Sequence, residues 1–493
     1  MTMLPTATVL LLFGLLGRCS SEPAGIQLQL GQRGVDVLVR TAVTLLDKEI
    51  PGLQLPEVAG DFGTLIKGSY SLSGIVVSAF NVDAQESKAD FVKGQGVETK
   101  IGGLAFEIDG DYEVDIKAPI PLKKTGTFKA KSSKGTADVE VRILSQEGHP
   151  RLEAMKCSLD IGTLEVELHG GFLDKLIDMF KKLIALVIKP KVDTAVCQKL
   201  SEVITEQLDP LLRRLPLEAS FLDGFHFDYA LTADPQVGDE WISVPLEGKS
   251  WFTGHENDTA IPKPSGVLKP VSGEQMLCVA VDAEAVLGSA ALAFEESPRS
   301  HFVLDNDMLR HFPENIRNFF QCACADGMCI GAIFPSVRRH CHAGASLQFE
   351  SNATAAVAPI AVNSSGVFAT LRTNGTLEVL FPDQTRYDLG DIGSETVVLL
   401  EDSFRIENNT LRGEAKLIST HFSVIYSSIG PFTKYLLNLV WRDGVFGVMN
   451  GIINPLLKKG IPLPAIEHVA LQNSSISFAD DEVILCSDFV LSL

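Results

Sequence analysis

The chain of 493 residues lacks the compact signatures that announce an enzyme. No Gly-x-Ser-x-Gly elbow and no His-Glu-x-x-His occurs in it, so neither an activated serine nor a helix-borne zinc pair is on offer. No phosphate-cradling glycine loop opens a helix, which argues against a nucleotide enzyme. His169, His226 and His421 stand apart among apolar stretches and read as ordinary histidines, not catalytic bases. The chain is therefore expected not to be an enzyme. Positive charge is scarce too: 42 basic against 62 acidic residues leave a net charge of −20. That disfavours a general binder of polyanions, nucleic acid included. Outside the first residues there is no run of eighteen or more uncharged apolar residues, which disfavours an integral membrane protein. His340, Cys341 and His342 stand beside other cysteines, but their spacing fits no standard zinc site, and no metal is expected.

What is present begins with an apolar opening. Val9 to Leu16 is an apolar core followed by Gly17-Arg18-Cys19-Ser20-Ser21, which reads as a secretory signal over residues 1–21 despite the absence of a basic start. Removing Cys19 leaves eight cysteines, an even number that suits disulfides in an oxidising compartment. Six Asn-x-Ser/Thr sequons, at Asn257, Asn352, Asn363, Asn374, Asn408 and Asn473, fit the same extracellular setting. Four of them fall between 352 and 408, where they would mark a solvated face. A 45% hydrophobic composition excludes global disorder, and the length allows two large cores.

The chain is organised around the stretch from Leu168 to Pro216. Phe172, Leu173, Leu176, Ile177, Phe180, Leu183, Ile184 and Val187 recur at helical spacing with charged residues between them, which predicts an amphipathic helix. Pro190 is expected to break or kink it. The apolar pattern resumes from Val192 to Leu215, and Asp209-Pro210 and Pro216 close it. Such a stripe either packs on protein core or covers something else that is apolar. The ending Asp209-Pro210-Leu211-Leu212-Arg213-Arg214 has an echo at Asn454-Pro455-Leu456-Leu457-Lys458-Lys459, behind another apolar stretch, so the architecture reads as duplicated.

In chain order, Ile26, Leu28 and Leu30 alternate as a short strand. Val35, Leu38, Val39, Ala42, Val43, Leu46 and Ile50 then follow helical spacing up to Pro51-Gly52. Short strand-prone runs fill 65–168: Tyr70–Phe80, Val97–Ile108, Tyr112–Ile116, Thr125–Ala130, Ala137–Leu144 and Leu164–Leu168. They predict a strongly curved antiparallel sheet between two long helices. Residues 225–275, with five prolines and two tryptophans, read as a joint. Strands return over 346–425, with Asn374-Gly375 as a hairpin signal. Tyr426–Leu457 reads as the second long helix, and Val469–Val490 as strand.

This order resembles the family of bactericidal/permeability-increasing protein, lipopolysaccharide-binding protein, phospholipid transfer protein and cholesteryl ester transfer protein. The resemblance is carried by Gly25-Ile26-Gln27-Leu28 through Asp36, by the placing of Cys157 and Cys197, by Ser428-Ile429-Gly430-Pro431-Phe432, and by Lys459-Gly460-Ile461-Pro462-Leu463-Pro464. It implies an α+β boomerang of two similar halves, each a curved antiparallel barrel with long amphipathic helices, joined by a central sheet. The expected division is 22–224 for the first half, 225–275 for the joint and central sheet, and 276–493 for the second half. It also implies a Cys157–Cys197 bridge, which would staple the organising helix to a sheet. The pairing of Cys278, Cys322, Cys324, Cys329, Cys341 and Cys486 stays open.

By the same resemblance each half holds a phospholipid, as bound ligand and not as cofactor, with its chains between helices and sheet. The expected lining is Val35, Leu38, Val39, Ala42, Leu46, Leu173, Leu176, Ile177, Phe180 and Ile184 in the first half, and Leu436, Leu439 and Val440 in the second. The expected function is a secreted lipid binder that holds phospholipid or another amphipathic lipid, with transfer between membranes or lipoprotein particles as an extension. The alternative is innate-immune binding of bacterial lipopolysaccharide. That reading needs a basic tip, and the segment in question begins with Asp109-Gly110-Asp111-Tyr112-Glu113-Val114-Asp115. A lysine cluster follows it, Lys117, Lys123, Lys124, Lys129, Lys131 and Lys134, as the possible anionic-lipid contact. Convergence of these lysines on one exposed end favours the alternative; interleaving with the acids opposes it.

Overall fold

The computed structural model describes residues 23–62, 67–118, 121–170, 174–214, 216–264, 268, 271, 274–310, 314–324, 329–341, 344–400, 404–407, 410–428, 430, 454–459, 461–462, 469–479 and 481–491. The opening signal, Leu173, Asn408, most of the expected second long helix with Leu436, Leu439 and Val440, and parts of the two late motifs lie outside these residues.

Strand β1 (Ile26–Gly31) leads directly into helix α1 (Gln32–Glu49). Then come β2 (Val58–Phe62), β3 (Lys67–Asn81), β4 (Lys88–Val92), β5 (Gly96–Ala118), β6 (Leu122–Gln146), β7 (His149–Asp160) and β8 (Thr163–His169). They form one antiparallel sheet in the order β2-β3-β5-β6-β7, with β4 added on β5 and β8 on β6. Helix α2 (Asp174–Glu202) closes over it.

The strands of this sheet are longer than their sequence runs. Val97–Ile108 and Tyr112–Ile116 belong to one strand of 23 residues, so Asp109-Gly110-Asp111 is mid-strand and not a turn. The alternation carries straight through: Phe106, Ile108, Tyr112 and Val114 are buried while Asp111 and Glu113 are exposed and Asp115 is half-buried. Gly110 makes room for a neighbour, since a Cβ there would stand 2.6 Å from the ring of Phe128.

Helix α2 continues across Pro190. Proline deprives the carbonyl of residue 186 of its helical partner, but Leu186 is 72% exposed, so water can satisfy it. After α2 come a π-helical stretch, Val203–Leu208, and a short helix, Asp209–Arg213, so Pro210 opens a last turn instead of ending the element.

The later part of the chain builds a second antiparallel sheet in the order His301–Leu304, Ser346–Asn363, Gly366–Leu380, Arg386–Leu400, Ala415–Ser427. Asn374-Gly375 lies inside its second long strand, with Asn374 paired to Asn352 and to Gly393, and is no hairpin. A Cβ on Gly375 would stand 2.7 Å from the ring of Phe349. A glycine in each half thus admits a phenylalanine from the neighbouring strand.

A six-stranded central sheet runs Gln236–Val237, Trp241–Leu246, β1, Leu277–Asp282, Glu482–Leu491, Val469–Ala479. The stretch 225–275 supplies only two of these strands; the rest come from the first strand of the chain and from both ends of the second half. Cys278 and Cys486 are register partners in it and are bonded. The other bonds are Cys157–Cys197, Cys322–Cys341 and Cys324–Cys329, so all eight cysteines after residue 21 are paired. No helix among the described residues is long and apolar enough to cross a membrane.

Candidate functional site

One face of α2 repeats every four residues: Phe180, Ile184, Ile188, Val192, Val196 and Leu200 are each at most 5% exposed. Every fourth residue drifts only slowly around a helix of 3.6 residues per turn, so this is one stripe along the axis. It packs on the concave side of the first sheet, on Leu72, Ile75, Phe106, Ile108, Tyr112 and Val114 among others, and on Val43 and Leu46 of α1 and Ile50 just after it. Phe180 meets Phe62 edge to face at 5.2 Å between ring centroids.

At one end this packing opens. Tyr70, Leu72, Tyr112, Val114, Leu168, Phe180, Leu183 and Ile184 line a small cavity of about 10 Å³ with a wholly apolar accessible lining. The hydroxyl of Tyr112 is turned away from it by donating to the carbonyl of His169 at 3.2 Å. The space is far below the roughly 300–1,000 Å³ common for small-molecule sites, so an acyl chain needs the helix to shift outward.

The attachment of α2 is uneven in a way that permits such a shift. Its polar and covalent ties to the rest of the half, among the described residues, begin at Lys189. The Lys189 ammonium lies 2.8 Å from Asp160, which holds that carboxyl below the ordinary aspartate range. Leu159 N–H donates to Asp193 at 2.9 Å, and Cys197 is bonded to Cys157 on β7. Lys199 reaches Glu49 of α1 at 3.3 Å; the Gln207 side chain, and then Lys199, hold the Glu49 carboxyl below the ordinary glutamate range. Asp209 accepts from the Leu152 N–H at 2.8 Å. The cavity end, from Ile177 to Ile188, rests among the described residues on apolar contact.

The expected lining residues divide. Phe180 and Ile184 line the cavity, and Leu46 joins the same cluster. Ile177 is half-buried, and Leu176 lies on the helix. Val39 packs partly against this cluster, and Ala42 is half-buried. Val35 sits in a separate cluster with Ala89, Val97 and Ile242, and Leu38 is 37% exposed. Val192, Val196 and Leu200, read in the sequence as a pattern resumed after Pro190, continue the stripe of Phe180 and Ile184 without a break, and Ile188, absent from the expected stripe, belongs to it by the same four-residue spacing.

The lysines do not gather on a tip. In the register of β5 with β6, Lys123 is opposite Asp115, Lys129 opposite Asp109 and Lys131 opposite Glu107. On the other side of β6, Glu167 is opposite Lys129 and Glu165 opposite Lys131. Lys123 lies 2.7 Å from Glu113, Lys129 2.7 Å from Glu107, and Lys131 3.6 Å from Glu107. The hydrogen bond from Lys129 holds Glu107 below its ordinary range and raises Lys129 in turn; Glu113 raises Lys123 in the same way. Lys124 is opposite Val114, on the other parity of the strand, and Lys117 is exposed near the end of β5. This is a mixed-charge sheet face with its lysine strand between two acidic ones.

Of the sequons, Asn257, Asn352, Asn363, Asn374 and Asn473 are all exposed. The Asn352 amide oxygen accepts from the His301 ring Nδ1 at 2.9 Å, and Asn352 faces Asn374 across the strands.

Comparison with known proteins fits this architecture. The chain is 23% identical to rat bactericidal permeability-increasing protein over 471 residues, covering 94% of this chain and 93% of the relative. It is 23% identical to mouse lipopolysaccharide-binding protein over 497 residues, covering 98% and 97%. The crystal structure of lipopolysaccharide binding protein superposes with a TM-score of 0.61 at 20% identity, covering 96% of this chain and 100% of that one. The N-terminal domain of the LBP / BPI / CETP family matches residues 34–211 and its C-terminal domain residues 221–491, and the chain therefore belongs to the LBP / BPI / CETP family.

Proposed function

We propose that the protein is a secreted, non-enzymatic lipid binder that takes phospholipid acyl chains between α2 and the concave side of the first sheet. The observation that carries this reading is the pairing of a wholly apolar cavity with a helix whose polar and covalent ties, among the described residues, lie beyond it. Entry of chains displaces the cavity end of α2 outward while Cys157–Cys197 keeps the far end in place. Each methylene buried contributes about 0.8 kcal/mol, so a few methylenes repay the displaced contacts without any ion pair. Secretion is supported by the apolar opening and by four disulfides.

Lipopolysaccharide recognition, suggested by the names of the relatives, is disfavoured for this chain. A phosphorylated sugar headgroup would have to compete with Glu107 and Glu113 for the lysines and would face Glu165 and Glu167. The test is native mass spectrometry of the secreted chain, followed by lipid extraction and titration with lipid A-containing and phosphatidylcholine vesicles. Co-purifying phospholipid, with uptake unaltered in K129Q/K131Q, is the expected result. A lipid-free mass without uptake from either vesicle overturns the reading; selective uptake of lipid A that is lost in K129Q/K131Q replaces it with the lipopolysaccharide one.

A further inference from the structure

Away from this groove, His255, Asp258 and Glu296 bring one ligand atom each to within 4.8 Å of one another. Glu296 is the last residue of the helix Ala283–Glu296, and the other two lie on the loop after the strand Lys249–Phe252. His255 Nδ1 stands 3.1 Å from Glu296 Oε1, and the Glu296 side chain is 11% exposed. Its second oxygen, Oε2, is buried and receives no hydrogen bond from an N–H or hydroxyl donor among the described residues, and the Asp258 carboxyl lies against the Glu296 side chain. We propose that this trio is a binding site for a single divalent transition-metal ion, Zn²⁺ in the first instance.

The placement of charge calls for a cation. Two carboxyl groups meet there at the negative end of a helix dipole, where an acid is ordinarily unfavourable. Nearby cations are directed elsewhere. The Lys249 ammonium lies over the Trp251 ring at 5.2 Å and donates to the Glu256 carbonyl, and the Arg299 guanidinium lies over the Phe225 ring at 5.8 Å.

The ligands are also pre-positioned. His255 N–H donates to the Phe252 carbonyl at 2.9 Å, Asp258 N–H to the His255 carbonyl at 3.2 Å and Ile261 N–H to the Asp258 carbonyl at 3.3 Å, so successive turns hold the loop. The helix is fixed to the strand by the Ser250 N–H donating to the Ser289 hydroxyl at 3.0 Å in a buried position. Tetrahedral zinc with bonds of about 2.0–2.2 Å holds its ligand atoms about 3.4 Å apart, so a trio whose atoms lie within 4.8 Å of one another needs to close by at most about 1.4 Å. An imidazole with two carboxylates suits zinc better than calcium, which takes oxygen ligands. The fourth position is left to solvent, and the ion pins the loop to the end of the helix.

The test is equilibrium dialysis of the secreted full chain, stripped with chelator, against ZnCl₂ alone, with thermal unfolding followed in parallel. The expected result is one Zn²⁺ per chain, with unfolding shifted upward by the ion. E296Q and H255A weaken binding by more than the roughly 10–100-fold that loss of a mere outer-shell partner costs. E284Q, at the exposed opposite end of the same helix, serves as the control and binds as the parent does. Absence of a bound equivalent overturns the proposal, as does equal binding by E296Q, H255A and the parent. A metal-free parent that E296Q stabilises at neutral pH would assign the pair a shared proton instead, and overturns it too.

Discussion

Phe180→Ala separates a lipid-receiving wall from plain core. Phe180 is 1% exposed, lines the cavity and meets Phe62 edge to face. In lipid-free protein its truncation costs about 3–5 kcal/mol, the range for a buried aromatic. For a folding unit of 150–250 residues that is a fall in melting temperature of about 6–20 °C. The same truncation widens the small apolar cavity at the place where acyl chains are proposed to enter. At about 0.8 kcal/mol per methylene, roughly four to six methylenes filling the new space restore what was lost. The assay is thermal unfolding of delipidated parent and variant, with and without a saturating short-chain phosphatidylcholine. The lipid-induced rise should be larger in F180A, bringing the two melting temperatures closer together. A variant destabilised equally with and without lipid, and with parental uptake, refutes the reasoning: the wall would then be ordinary core.

Two further predictions concern what fastens the helices. Glu49 has its carboxyl held below the ordinary range by Gln207 and Lys199, so its contribution is present above the unfolded glutamate pKa of about 4.3 and is lost as pH falls through the lower folded value. The stability gap between parent and E49Q, read from melting curves over pH 7 to 3, should therefore close on the acid side; a gap independent of pH contradicts the Glu49–Lys199 contact. The bridges should rank by the loop each closes: with separations of 208 and 40 residues, Cys278–Cys486 is worth roughly 5 kcal/mol and Cys157–Cys197 about 4 in the chain-entropy model. Denaturant midpoints of C278S/C486S and C157S/C197S check the order, and alkylation that finds either pair free in the parent contradicts the pairing itself.

Much of the groove was legible locally. Helical spacing from Phe180 to Leu200 and strict alternation along β5 and β6 follow from backbone geometry alone, and a sequence expresses both within a few residues. The helix starting beside Gly31 and ending at Pro51-Gly52 was equally local. Where local reading went astray, a distant residue had decided the outcome. Asn374-Gly375 carries a hairpin signal, yet Gly375 is there to admit Phe349 from the next strand. Gly110, flanked by two aspartates, reads as a turn and is held mid-strand by its pairing with Phe128. Pro190 is tolerated because the carbonyl it orphans faces water.

The sequence by itself determined which surfaces are apolar, how many cysteines are available to pair, and that charge along β5 and β6 comes in opposite blocks. Only the tertiary structure decided who meets whom. Strand register set Lys129 and Lys131 against acids on both sides and Lys123 against Asp115 instead of on a common tip, because a shift of pairing, invisible in either strand alone, changes every neighbour. Chain closure over 208 residues made Cys278 and Cys486 partners. The meeting of His255 and Asp258 with Glu296 likewise depends on how one helix seats on one strand, a packing choice that no spacing within the sequence encodes.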